Sequence, residues 1–77
     1  MKDINGLMES EDTVILSPKE LEILQWVADG FTAQEVAARV NMGKRNVERI
    51  KAQIVERTEA KNLLEVIVAL YKKGILV

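Results

Sequence analysis

Apolar residues recur with a helical period in four separate stretches of the chain. Each stretch is entered by a polar capping signal and left by a turn signal. In the first, Ile23, Leu24, Val27 and Ala28 fall on one side of a 3.6-residue helix. Ser17-Pro18 stands ahead of them, with Glu20 three residues after the serine. That spacing predicts a capping box, because the hydroxyl can accept from the third helical amide while the carboxylate reaches back to the capping residue. Gly30 ends the stretch, being free to take the left-handed backbone conformation of a helix C-terminus. The second stretch repeats the device: Thr32 caps, Glu35 answers three residues on, Val36, Ala37 and Val40 face inward, and Asn41-Met42-Gly43 forms the turn. The third runs from about Lys44 to about Thr58 with Val47, Ile50, Ile54 and Val55 as its buried stripe. The fourth opens on a third box, Asn62 and Glu65. It continues through Leu63, Leu64, Val66, Ile67, Val68, Ala69, Leu70 and Tyr71 to Lys72-Lys73-Gly74.

The expected fold is all-α: a four-helix, bundle-like domain with a helix-turn-helix inside it. The one strand-like run, Val14-Ile15-Leu16, reads as an apolar lead-in. Residues 1–13 have no clear period, so residues 1–15 are expected to be a flexible leader or linker and residues 16–77 the domain. Ile4, Leu7 and Met8 are spaced to form one short helical turn that docks. Leu21 and Trp26 flank the stripe of the first helix, as boundary packing or as a docking surface for the leader or a partner.

Composition removes several classes of function. With 77 residues there is room for one domain only. The chain has no cysteine and no histidine. A disulfide framework, a thiolate zinc site and the commonest general base and nucleophile are therefore ruled out. An enzyme is not expected, nor any metal or cofactor. No apolar run approaches the roughly 20 residues that span a bilayer, and the acidic start (Asp3, Glu9, Glu11 and Asp12 against Lys2) is not a secretory signal. No membrane partner is expected, and the expected location is the cytoplasm.

The net charge of −1 conceals an uneven distribution. Residues 43–61 carry six bases (Lys44, Arg45, Arg49, Lys51, Arg57, Lys61) against three acids (Glu48, Glu56, Glu59), whereas the rest of the chain is acidic on balance. With positions 47, 50 and 54 turned inward, the third helix would present Arg45, Glu48, Arg49, Ala52, Gln53 and Glu56 outward. Arg45 or Arg49 can pair bidentately with a guanine edge, Gln53 can read adenine, Ala52 can meet a thymine methyl, and Glu48 can accept from cytosine while repelling phosphate. For Glu48, Gln53 and Glu56 a plain solvated surface accounts for the pattern equally well. Lys44, Arg45, Lys51, Arg57 and Lys61 are candidate phosphate contacts. Lys51 stands one residue out of register with the stripe, either a surface lysine or one that snorkels to the rim. Thr32, with the amides of Ala33 and Gln34, offers a helix N-terminus to an anion, beyond its simpler role as a cap. The fourth helix is apolar on nearly every face, with Leu63, Ile67, Leu70 and Tyr71 on one stripe and Val66 and Val68 off it. Either a partner helix covers that surface or the leader does.

The order of helix, Gly30-Phe31-Thr32, short helix, turn, longer helix and apolar helix resembles the DNA-binding domain of LuxR-type (GerE-like) transcription regulators. The resemblance runs from Leu16 to about Leu76. It is carried by Leu16-Ser17, Glu20, Glu22-Ile23-Leu24, Gly30, Thr32, Glu35-Val36-Ala37, Val47, Ile54, Asn62, Glu65 and Gly74. The resemblance implies sequence-specific double-stranded-DNA binding in transcription regulation, with phosphate contact near Thr32 and recognition by the third helix. It also implies a homodimer through the C-terminal helix, for which Leu63, Val66, Ile67, Leu70 and Tyr71 are the candidate residues. On the third helix the candidate DNA-binding set is Lys44, Arg45, Asn46, Arg49, Lys51, Gln53 and Arg57, with Lys61 just beyond it.

The chain also departs from the family pattern. Gly43 stands where a capping Ser is usual, Asn46 where Thr is usual and Ile50 where His is usual. Lys51 occupies a usually apolar position and Glu48 a usually basic one; Arg57 keeps the charge of a usual Lys, and Thr58-Glu59-Ala60 replaces a Leu-Gly-Val type ending. The acidic balance, Glu48, Glu56 and Gly43 keep an alternative open: a protein-interaction module on a helix-turn-helix scaffold, bound to another regulator. A sigma region-four-like domain would share the scaffold, but the long apolar fourth helix fits it less well. Residues 1–15 are too short to be the receiver or ligand-binding domain of a typical family member, so the chain is either a short stand-alone regulator or a fragment.

Overall fold

The computed structural model describes residues 16–77. The expected leader, the docking turn of Ile4, Leu7 and Met8, and Val14-Ile15 lie outside the described residues. Four helices follow one another: α1 (Pro18–Ala28), α2 (Ala33–Val40), α3 (Lys44–Thr58) and α4 (Leu63–Lys72). No strand occurs among the described residues, so the fold is all-α as expected.

Local chemistry sets the helix starts. Ser17 Oγ accepts from the Glu20 amide at 3.1 Å, and the Ser17 amide donates to Glu20 Oε1 at 2.8 Å. Thr32 and Glu35 form the same reciprocal pair at 3.2 and 2.8 Å. The third box is only half formed. Asn62 Oδ1 caps the Glu65 amide at 2.9 Å, but Glu65 Oε1 accepts from the Lys61 amide, one residue before the cap. The extended backbone of Asn62 (φ −163°, ψ 175°) differs from that of Ser17 and Thr32, and the Lys61 amide, not that of Asn62, comes within reach of the carboxylate. At the start of α3, Gly43 has no side chain to offer the first turn.

The ends are equally specific. Gly30 turns the chain out of α1 at φ +96°, with the Phe31 amide bonded back to the Trp26 carbonyl at 3.1 Å. Asn41 and Glu59 close α2 and α3 in the left-handed region, both at φ 59°.

Two apolar clusters meet at α3. On one side Ile23, Val36, Ala37, Val40 and Val47 join α1, α2 and α3. On the other, Leu24, Ile54, Val66, Ile67, Leu70 and Leu76 join α1, α3 and α4. Ile50 and Val27 pack against both, so α3 is the element that both halves hold in place. Truncating a fully buried residue such as Ile54 to Ala would cost about 2–5 kcal/mol, a large fraction of the stability of so small a domain. Val55, expected in the stripe, is only half-buried; it lies round the helix from Val47 and Ile54, at the edge of the packed side.

Beyond α4 the chain folds back at Gly74 (φ +77°) and buries Leu76. Gln25 of α1 holds the end of the chain. Its Nε2 donates to the Val77 carbonyl oxygen at 2.9 Å, and its Oε1 accepts from the Val77 amide at 3.1 Å. Tyr71 Oη donates to the same carbonyl oxygen at 3.0 Å.

Candidate nucleic-acid interface

The two clusters fix the rotation of α3 about its axis. Val47 and Ile54 are fully buried, and the opposite side, carrying Arg45, Glu48, Arg49, Ala52, Gln53 and Glu56, is exposed throughout. That side is the outward set expected from the periodicity. Among the described residues Arg45 and Arg49 take part in no ion pair, so their guanidinium charge is open to an external acceptor. Arg49 is not loose, however: its Nη2 donates to Asn46 Oδ1 one turn earlier, at 2.9 Å. Lys44 and Lys61 are exposed at the two ends of α3, and Lys51 is half-buried on its flank.

Arg57 has a different position from the one expected. Its Nη2 lies 2.8 Å from Glu20 Oε1, tying the last turn of α3 to the first turn of α1. The pair gives Arg57 a place in the scaffold, while its side chain stays about half exposed. Burial is the largest influence on the Glu20 carboxyl and would raise its pKa. The Ser17 amide and Arg57 together outweigh that effect and hold it below its ordinary value of 4.5.

At the start of α2 the Thr32 hydroxyl and amide are both used by the capping box. Glu35 is held ionised below the ordinary 4.5, first by the Thr32 amide, then by the Thr32 hydroxyl, with Arg39 adding a smaller attraction. The amides of Ala33 and Gln34 have no acceptor among the described residues, so the anion-binding capacity of this end rests on them.

One cationic residue escaped the sequence reading. The Arg39 guanidinium sits 4.3 Å from the Phe31 ring centre and 5.2 Å from that of Trp26. The two rings meet edge to face at 5.0 Å, and Trp26 Nε1 donates to Glu22 Oε2 at 3.4 Å. This stack bridges α1, its exit turn and α2. The local signal was the pair of aromatic residues on either side of Gly30, but only the fold brings Arg39 over them.

Among the described residues no group of acidic side chains is placed to hold a metal ion, and no helix is long and apolar enough to cross a membrane. Residues 14–70 match the family model of bacterial regulatory proteins, luxR family. The chain belongs to the luxR family. Membership makes α2, the turn and α3 the helix-turn-helix of a DNA-binding domain used in transcription regulation. The chain is 40% identical over 52 residues to the tetrathionate response regulatory protein TtrR of Salmonella typhimurium, which covers 68% of this chain and 25% of that protein. It is 34% identical over 59 residues to the transcriptional regulatory protein DesR of Bacillus subtilis, covering 77% of this chain and 30% of that protein. A probable transcriptional regulator of Pyropia yezoensis is 38% identical over 47 residues, 61% of this chain and 21% of the relative. The chain thus spans about a quarter of the length of these relatives. No solved structure matches it.

The structure also redraws the surface that this luxR-type domain can offer to a second copy. Val66, Ile67 and Leu70, expected at a dimer interface, are buried in the protomer's own core, and Leu63 packs partly against it. They close the cluster that holds α3, and exposing them would dismantle it. Tyr71 stays outward, at 42% exposure, together with Leu64 at 67% and Val68 at 42%. These three, at i, i+4 and i+7, form one continuous apolar stripe, which the exposed Ile75 extends.

Proposed function

We propose that the domain binds double-stranded DNA sequence-specifically, with the exposed side of α3 in the major groove. We further propose that it does so as a homodimer joined through the outer stripe of α4. The observation that carries this reading is the orientation of α3. Its buried residues are pinned by two clusters, while Arg45, Arg49 and Gln53, which suit the edges of guanine and adenine, face solvent together. Lys44 and Lys61, with the half-buried Lys51, supply candidate phosphate contacts, as do the first amides of α2 beside Thr32. Binding of this kind fits a regulator that acts in the cytoplasm, and the regulatory role is in keeping with the names of the relatives.

Selection of bound duplexes from a random pool tests the whole reading. The expected product is an inverted repeat whose half-sites lie about one helical turn apart, or a multiple of that. Affinity should fall steeply as salt rises, because Lys and Arg contacts displace counterions. A flat dependence of log K on log salt, or a pool that never enriches, would overturn it.

A second reading has its own support. Glu48 and Glu56 share the exposed side of α3 with Arg45 and Arg49, so the charges there offset one another. A helix-turn-helix scaffold that docks another regulator would show that balance. Size-exclusion of the protein with and without duplex separates the two readings, since only the first predicts co-elution.

A further inference from the structure

On the exposed side of α3, one side-chain hydrogen bond among the described residues links two of the outward residues: Arg49 Nη2 to Asn46 Oδ1, at 2.9 Å. Asn46 lies in the first turn of α3 and Arg49 one turn on, both exposed. A guanidinium has five N–H donors, and this bond occupies one. Four remain, enough for the two parallel bonds that a guanine O6 and N7 accept. The acceptor is a neutral amide. A carboxylate from Glu48 or Glu56 in that place would fix the same guanidinium but cancel its charge, as Glu20 does for Arg57. Asn46 thus restrains Arg49 without neutralising it, and its own amide nitrogen stays available to a second acceptor.

We infer that Asn46 is a positioning residue for base recognition: it holds the Arg49 guanidinium ready for one guanine edge and so sets selectivity more than affinity. The inference rests on the reading of α3 as the major-groove helix. Pre-ordering a long side chain removes part of the cost of ordering it on binding. It also keeps that side chain from wandering to a neighbouring phosphate, where it would add affinity with no sequence information. Arg45 has no comparable restraint among the described residues and is left to the more adaptable role.

The test compares wild type with Asn46→Ala and Asn46→Asp on the selected duplex and on duplexes changed one base pair at a time. Asn46 is exposed in the first turn of α3, where Ala is the better helix former and Asp suits the helix dipole, so both variants should fold. The guanine read by Arg49 is identified as the position where Arg49→Ala loses discrimination. In Asn46→Ala, discrimination at that base pair should fall about tenfold, within the range a bidentate contact supplies. The slope of affinity against salt should stay as in wild type. Asn46→Asp keeps an acceptor for the Arg49 guanidinium but offsets its charge, so discrimination should exceed that of Asn46→Ala while affinity falls on every duplex. In the free protein, nitrogen relaxation should find the Arg49 Nε more ordered than that of Arg45, and Asn46→Ala should abolish the difference. Equal loss on all duplexes in Asn46→Ala, or unchanged discrimination in that variant while wild type remains selective, would overturn the positioning role and leave the DNA reading standing. A wild type that prefers no duplex would overturn both, whatever the relaxation data show.

Discussion

Arg57 Nη2 meets Glu20 Oε1 at 2.8 Å, so the last turn of α3 is bonded to the carboxylate that completes the capping box of α1. The pair ties the C-terminal end of α3 to the N-terminal end of α1. Glu20 is the more enclosed partner, its side chain 17% exposed against 45% for Arg57.

Stability should therefore respond to acid in a defined way. The Glu20 pKa is lowered in the folded chain relative to its ordinary 4.5, so the folded state favours the ionised carboxylate. Its contribution is fully present above about pH 4.5 and disappears as pH falls through the lower folded value. Glu35 shifts in the same direction and adds to the trend. Glu20→Gln should cost about 1 kcal/mol at neutral pH, since it weakens the capping box and the ion pair together. Arg57→Ala, on the more exposed side, should cost about half of that. Thermal melts from pH 7 to pH 3 check the sign: wild type should lose stability at the acid end, and Glu20→Gln should lose less over the same interval.

A second prediction concerns Glu59. It closes α3 in the left-handed region at φ 59°, where a Cβ crowds the backbone, and its negative charge faces the negative end of the helix. Glu59→Gly should stabilise the domain by about 1 kcal/mol, which for a chain of this size is about 4–8 °C in Tm. A fall in Tm would mean that the Glu59 side chain makes a contact more valuable than the strain it introduces.

The opposite substitution is favoured at Gly43. This residue caps α3 in ordinary extended backbone (φ −76°, ψ 152°), and a Cβ built on it meets nothing within 4 Å. Gly43→Ser should therefore supply the missing acceptor to the first turn and restrict the unfolded chain. The expected gain is about 0.5–1 kcal/mol in denaturant melts. It should leave the base preference of the DNA complex unchanged, because the cap lies outside the exposed stripe of α3.

Features governed by neighbours in sequence were legible before any coordinates. The Ser17–Glu20 and Thr32–Glu35 boxes follow from a three-residue spacing, and the outward set on α3 follows from Val47, Ile50 and Ile54. Features governed by packing were not. The ion pair of Arg57 with Glu20 spans the fold, as does the amide exchange of Gln25 with Val77, and no local pattern announces either. In α4 the difficulty was an excess of signal. With apolar residues on nearly every face, periodicity cannot say which stripe turns inward, and burial of Val66, Ile67 and Leu70 was decided by the position of Leu24 and Ile54.

That choice of stripe yields the prediction on assembly. If α4 pairs with a second copy, the contact must use what the core leaves over: Leu64, Val68 and Tyr71, beside the open depression lined by Asn62, Leu64, Glu65, Val68, Ala69 and Lys72. Two-fold pairing would bring each stripe onto its own copy, as an isologous interface requires. Leu64→Asp and Val68→Asp place a charge on that surface without touching the protomer's core, so each should leave the helical content and the melting transition of the monomer intact. Sedimentation should then show a weaker dimer, by about tenfold or more in Kd for a central contact. Affinity for an inverted repeat should fall further than affinity for a single half-site, since the second half-site gains its advantage only through a linked copy. Leu70→Asp is the contrasting variant: its side chain is buried, so it should unfold the domain and abolish half-site binding as well. If Leu64→Asp and Val68→Asp left the dimer and the inverted-repeat preference untouched, pairing would have to run through a surface other than α4.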